Sequence, residues 1–275
     1  MPDDSRSNVA PSAPIGMFDS GVGGLSVLAE VQRLLPGEDV VYYADTAGFP
    51  YGSRAASDVR VRSEAIVRDL LASGAKIIVV ACNTATSAAI AGLRETFDVP
   101  FVGMEPALKP AAEATVSGKI ALLMTPGTAR GQKLAALIDR YGAEVAVQTI
   151  EAPGLAEAVE SGDADAPATR DLVRRLIAPL RTSGADVLAL GCTHYAFIRD
   201  LIQQEAGAGV QVIEPSAAVA KQVKRVLAAR ELLNPRRTGG GVRYLCSGDE
   251  AAFERTRTSL AERIARFETT SQAAR

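Results

Sequence analysis

Ser73-Gly-Ala-Lys-Ile-Ile-Val-Val-Ala-Cys82-Asn-Thr84 and Ser183-Gly-Ala-Asp-Val-Leu-Ala-Leu-Gly-Cys192-Thr-His194 decide the fold. Each passes a helix-ending glycine, runs through four or five apolar residues, and stops at a cysteine followed by polar residues. They align in register 110 positions apart, from Ser73 to Ser183. Short, near-continuous apolar runs followed by amphipathic stretches are the signature of parallel strands covered on both faces. The repeat extends outward: Ile15-Gly-Met-Phe-Asp19-Ser-Gly21 and Ile120-Ala-Leu-Leu-Met-Thr125-Pro-Gly127 also read as strands ending in a polar turn. Two copies are too few for a solenoid, so the pattern reads as a duplicated unit.

Further strands are expected at Val40–Ala44, Phe101–Val102, Glu144–Thr149 and Val210–Ile213. Helices are expected at Leu25–Leu35, Ser57–Ser73, Thr84–Thr96, Thr128–Tyr141, Ala168–Ser183, His194–Ala206, Ser216–Glu231 and Glu250–Phe267. Gly74, Gly142 and Gly184 fall where a glycine closes a helix, and Pro36 and Pro100 follow helices they could not continue. Strand–helix alternation of this kind gives an α/β class with parallel sheets.

The 275 residues suffice for one large or two modest domains, and 47% hydrophobic with 23% charged residues is a globular balance. Thirty basic residues against thirty-two acidic ones leave −2, a charge that offers no global field for a nucleic-acid backbone or an anionic membrane. No apolar run approaches a membrane span, and Met1 to Pro14 reads as a loose tail. Three scattered cysteines favour a reducing compartment, by default the cytoplasm.

In open α/β sheets ligands bind beyond the carboxyl ends of strands. Asp19-Ser20-Gly21, Cys82-Asn83-Thr84, Thr125-Pro126-Gly127 and Cys192-Thr193-His194 all fall there. Each of Cys82 and Cys192 precedes a helix, whose unpaired N–H groups favour the thiolate. A lone cysteine in that place is commonly a small buried hydrophobe. Two at matching positions of a duplicated unit have a further use, because inverting a carbon centre needs a base on one face and an acid on the other. One thiol would then be depressed to thiolate while its partner keeps its proton.

Ser20, Asn83, Thr84 and Thr193 could stabilise developing charge or simply cap helices. His194 is the only histidine. Asp19 could hold an ammonium group, orient a proton relay or serve the turn. Gly21-Val-Gly23-Gly24 does not complete a dinucleotide loop, because position 26 is serine. The three cysteines and one histidine lack paired ligand spacing, so no metal is expected. No lysine stands in a setting that singles it out as a Schiff-base former, so no cofactor is expected. Cys246 closes Val242–Leu245 without a repeat partner and reads as packing.

Asp19-Ser-Gly-Val-Gly-Gly-Leu25, Pro50-Tyr-Gly52, Ala81-Cys-Asn-Thr-Ala85 and Gly191-Cys-Thr-His-Tyr195 together resemble the glutamate racemases of the aspartate/glutamate racemase superfamily. The resemblance runs from Ile15 to about Phe267. It implies two pseudo-symmetric flavodoxin-like domains with the active site at their interface, the first 15–105 plus 215–268 and the second 106–214. It also implies a PLP-independent isomerase of bacterial cytoplasm that interconverts L- and D-glutamate for peptidoglycan synthesis and so for cell-wall biogenesis and cell shape. Cys82 and Cys192 would be the catalytic acid/bases, assisted by Asp19 and His194. Substrate would be held by Asp19, Ser20, Tyr51, Gly52, Asn83, Thr84, Thr193 and His194, with Thr125 or Thr128 also in reach. Asp45 and Glu160 stand where acidic residues assist in the family.

The sequence departs from that pattern at Ala196, where proline is usual, at Ala152, where cysteine is common, and at Glu214-Pro-Ser216. The expected partner is the small-molecule substrate, with a homodimer allowed. Two other readings stay open: aspartate racemisation or a related carbanion reaction, and a non-catalytic module that binds an anion or a protein partner.

Overall fold

The computed structural model describes residues 9–142, 145–260, 262, 263 and 265. Among the described residues nine strands run in chain order: β1 Ile15–Asp19, β2 Val40–Ala44, β3 Ile77–Val80, β4 Phe101–Gly103, β5 Lys119–Met124, β6 Ala146–Glu151, β7 Val187–Gly191, β8 Gln211–Ile213 and β9 Val242–Cys246. They form two wholly parallel sheets, ordered β4-β3-β1-β2-β9 and β6-β5-β7-β8. The second sheet repeats the first with each strand number raised by four, and β9 is added at one edge. The order 2-1-3-4 is flavodoxin-like. In register, Ile15 faces Ile77 across β1 and β3, as Ile120 faces Val187 across β5 and β7. The two cysteine-ended strands therefore hold equivalent places.

The strands form because their residues are buried on both faces: β1, β3 and β7 have no exposed position. The largest apolar cluster is continuous through both sheets, joining Ile15, Met17 and Val79 to Leu123, Leu188 and Leu190. Separate clusters cover the outer faces, around Ile78 and Val80 on one sheet and Ile120 and Leu122 on the other. At about 1.5–3 kcal/mol for each fully buried Val, Leu or Ile, this continuous core holds the sheets and their loops together.

Several expected elements differ in detail. The helix expected from Thr128 is two pieces, Pro126–Ala129 and Gln132–Tyr141, and that from Ala168 breaks before Pro179. The helix expected from His194 begins as a 3₁₀ segment, Thr193–Ile198, and becomes α-helical only at Arg199. All six residues of that segment are buried, so it lacks the polar face of a surface helix. Gly74 and Gly184 close their helices at φ +83 and +74, but Gly142 has φ −97 and is no left-handed cap. Helices Leu108–Ala114 and Leu155–Glu160 are additional.

The start of the strand expected at Glu144, the end of the helix expected to Phe267, and residues 1–8 of the expected tail lie outside the described residues. Within that tail, the Pro11 and Pro14 carbonyls accept hydrogen bonds from the Lys76 side chain and backbone, which ties the segment to the body. Among the described residues no helix is long and apolar enough to cross a membrane.

Candidate active site

The strand ends of both sheets converge on one cavity of about 330 Å³. Cys82 enters it after β3 and Cys192 after β7, so both thiols line the same space. Ser20, Tyr51, Gly52, Asn83, Thr84 and Thr125 line it too, as do Thr193 and His194. Asp19, Asp45, Glu160 and Thr128 stand behind this wall and hydrogen-bond to the residues that form it.

Asp19 is fully buried at the end of β1 and accepts hydrogen bonds from the Gly21 N–H at 2.9 Å and the Thr193 hydroxyl at 3.0 Å. Burial pushes its carboxyl up to about 6, against the opposing pull of His194 and the Gly21 N–H. Glu160 accepts from the Val22 N–H at 2.9 Å and lies 2.7 Å from His194 Nε2. His194 Nδ1 is 3.8 Å from Cys192 Sγ. Burial works most strongly against an imidazolium here, yet the hydrogen bonds to Cys192 and Glu160 together with their charges outweigh it, and His194 is held well above the usual histidine range. As an imidazolium it donates to both partners.

The glycines of Gly21-Val-Gly23-Gly24 serve this packing. A Cβ at Gly21 would overlap the Glu160 carboxylate, and one at Gly23 would overlap Thr193 Oγ1 and the His194 ring. The loop brings backbone against a neighbouring relay.

Cys82 caps the helix Asn83–Thr96 by accepting the Ala85 N–H at 3.5 Å, and it lies 3.9 Å from the Ser20 hydroxyl. At Cys82 the thiolate-favouring helix start is outweighed. Burial pushes Cys82 well up, the Asp19 charge adds to the shift, and the single N–H does not reverse it. Cys192 precedes a 3₁₀ segment and makes no capping hydrogen bond, so it lacks the α-helical start expected for it.

The loop carrying Tyr51 and Gly52 is fastened by Asp45. Its carboxylate accepts from Tyr51 at 2.5 Å, from Ser247 at 2.5 Å, and from Arg62 at 2.7 and 2.8 Å. Burial opposes ionisation, but these donors hold Asp45 below the usual carboxylate range. Thr84, Thr125 and Thr128 join hydroxyls at 2.9–3.2 Å across the cleft, tying the loop after β5 to the helix after β3.

Phe49, Arg130, Ala152 and Glu157 also line the cavity and were absent from the sequence-based set. Arg130 had one readable signal, a cation just beyond a strand-end turn. The amide of Asn83, a lining residue, is buried with both polar atoms unpartnered among the described residues, an uncompensated donor and acceptor beside the cavity. No group of three His, Cys, Asp or Glu side chains that could hold a metal occurs among the described residues. Cys246 lies 3.0 Å from the Thr46 hydroxyl and is not among the residues that line the cavity.

The family model described as Asp/Glu/Hydantoin racemase matches residues 15–223. A glutamate racemase of Herpetosiphon aurantiacus is 49% identical over 247 residues, covering 90% of this chain and 97% of its own. Among solved structures, glutamate racemase isoform RacE1 of Bacillus anthracis superposes with a TM-score of 0.83 at 31% identity, over 91% of this chain and 94% of that one. The Escherichia coli glutamate racemase in complex with L-glutamate and the activator UDP-MurNAc-ala gives 0.80 at 31% identity, over 91% and 95%. The two parallel sheets, the shared cavity and these likenesses agree, and the chain belongs to the Asp/Glu/Hydantoin racemase family of isomerases.

Proposed function

We propose that the protein interconverts L- and D-glutamate by a two-base exchange at Cα, with Cys82 and Cys192 on opposite faces of the substrate. The observation that carries this reading is that two cysteines from equivalent strands of the two sheets line one cavity of amino-acid size. In one direction the sulfur of one cysteine, as thiolate, takes the Cα proton, and the electron pair left on carbon delocalises into the α-carboxylate. The thiol of the other delivers its proton to the opposite face, and the roles exchange for the opposite enantiomer.

The developing negative charge meets the Asn83 amide, the Thr84 and Thr193 hydroxyls and backbone N–H groups at the helix start after Cys82. Ser20, Tyr51 and Gly52 complete the cradle. His194 beside Cys192 and Asp19 behind Thr193 act as proton and charge reservoirs for the thiols. The residues do this without a cofactor. Three free cysteines suit a reducing cytoplasm, where the D-glutamate formed supplies peptidoglycan. The same reading divides the chain into 15–105 plus 215–268 and 106–214, a division supported by which strands share each sheet.

Proton exchange at Cα in D₂O tests it. Wild type exchanges both glutamate enantiomers and leaves aspartate essentially untouched. Cys82→Ser and Cys192→Ser each lose racemisation by about 10³-fold or more while keeping the native circular dichroism spectrum. Full activity in either variant, or equal turnover of aspartate, refutes the proposal.

A further inference from the structure

Beyond Thr84 a second cavity of about 330 Å³ adjoins the reaction pocket, and Arg130 and Thr84 line both. Its walls carry Arg54, Arg60 and Arg130, with no carboxylate in the lining among the described residues. Arg54 is committed to Asp58 at 2.8 Å and to the Gly48 carbonyl at 2.5 Å. Among the described residues Arg130 reaches only the Gly52 carbonyl, at a long 3.4 Å. Arg60 is exposed and makes no ion pair among the described residues. Two guanidinium groups thus share one concavity without a compensating anion, an arrangement that raises the local positive potential.

The floor adds a neutral donor. Ser87 Oγ is buried and lacks a hydrogen-bond partner among the described residues. Any Cβ at Gly131 would overlap that oxygen, so the glycine keeps this corner clear. Val59 and Ala88 supply an apolar flank. Planar guanidinium forks and a hydroxyl lining one cavity match a tetrahedral oxyanion, which accepts several donors at once.

We propose that this second cavity binds an orthophosphate group, free or as a monoester. Arg60 and Arg130 form the charged clamp and Ser87 donates its hydroxyl. The inference stands apart from the chemistry assigned to the cysteines, because its readout is binding and not turnover.

Calorimetric titration of the whole protein with inorganic phosphate, at ionic strength held constant with chloride, tests it. Wild type shows one saturable site. Arg60→Gln weakens it by about tenfold or more, as expected for loss of a charge-assisted clamp, and Ser87→Ala weakens it by a smaller factor. Saturating glutamate leaves phosphate binding in place. Phenyl phosphate in a parallel titration separates the two sources: tighter binding than inorganic phosphate identifies an ester as the occupant. Absence of saturable binding, an unchanged affinity in Arg60→Gln, or displacement of phosphate by glutamate overturns the proposal. Arg60 is exposed, so its variant retains the native fold.

Discussion

Replacing Asp19 by asparagine should stabilise the folded protein at neutral pH while damaging its chemistry. Asp19 has no exposure to solvent, and burial lifts its carboxyl from 3.8 to about 6. The folded value lies above the unfolded one, so the folded state favours the protonated form. The associated stability is complete below the unfolded value and is lost as pH rises through about 6. A shift of about 2 units at 1.36 kcal/mol each makes the ionised carboxylate a burden of roughly 3 kcal/mol above pH 7.

Asparagine removes that burden and keeps the local geometry. Its carbonyl accepts the Gly21 N–H, and its amide donates to Thr193 Oγ1, which is freed to accept. With about 2–4 °C of Tm per kcal/mol in a chain of this size, the gain is roughly 6–12 °C at pH 7.5. Differential scanning calorimetry of both proteins between pH 4 and 7.5 should show the gap closing towards the acid end, where Asp19 is protonated in the wild type as well. A variant no more stable at pH 7.5, or a gap that ignores pH, would refute the argument.

His194 is the sole histidine, so its ring signals in an NMR titration are unambiguous, and it should remain an imidazolium at pH 7. Glu160→Gln should bring its titration down towards the ordinary range. Because the folded value is raised, the stability it contributes is full below about 6.5 and is lost as pH climbs through the folded value, so the wild type should weaken on the alkaline side. Gly23→Ala should lower stability by about 1–3 kcal/mol in urea melts and abolish turnover, since the added carbon displaces Thr193 and His194. Gly92→Ala, in a helix with open space around it, should instead stabilise by about 0.5–1 kcal/mol. Glu38→Ala strands the fully buried Lys76 ammonium, 2.5 Å from the lost carboxylate, and should cost about 3–5 kcal/mol in the same melts.

The doubled strand–cysteine pattern made the sheets and the meeting of both thiols legible from sequence, because continuous burial leaves a continuous apolar run. Glu160 was weaker as a sequence signal. Its position on a short helix reads as a surface acid, and its importance comes from Val22 and His194, which are distant along the chain. The glycines after Asp19 suggested a nucleotide loop only faintly, and what they provide is clearance for side chains that no local pattern announces. Cys82 differs for a related reason: the helix start that favours a thiolate is visible in sequence, whereas the depth of burial that pushes this thiol up belongs to the assembled fold.

β9 adds one more consequence. Among the described residues it pairs only with β2, and Ser247 just beyond it donates to the carboxylate that fastens Tyr51. All the strands of the β5–β8 sheet are synthesised before β9. A chain that stops short of Val242 thus carries both thiols yet leaves the tyrosine loop without this tether, so the cavity wall is fastened last.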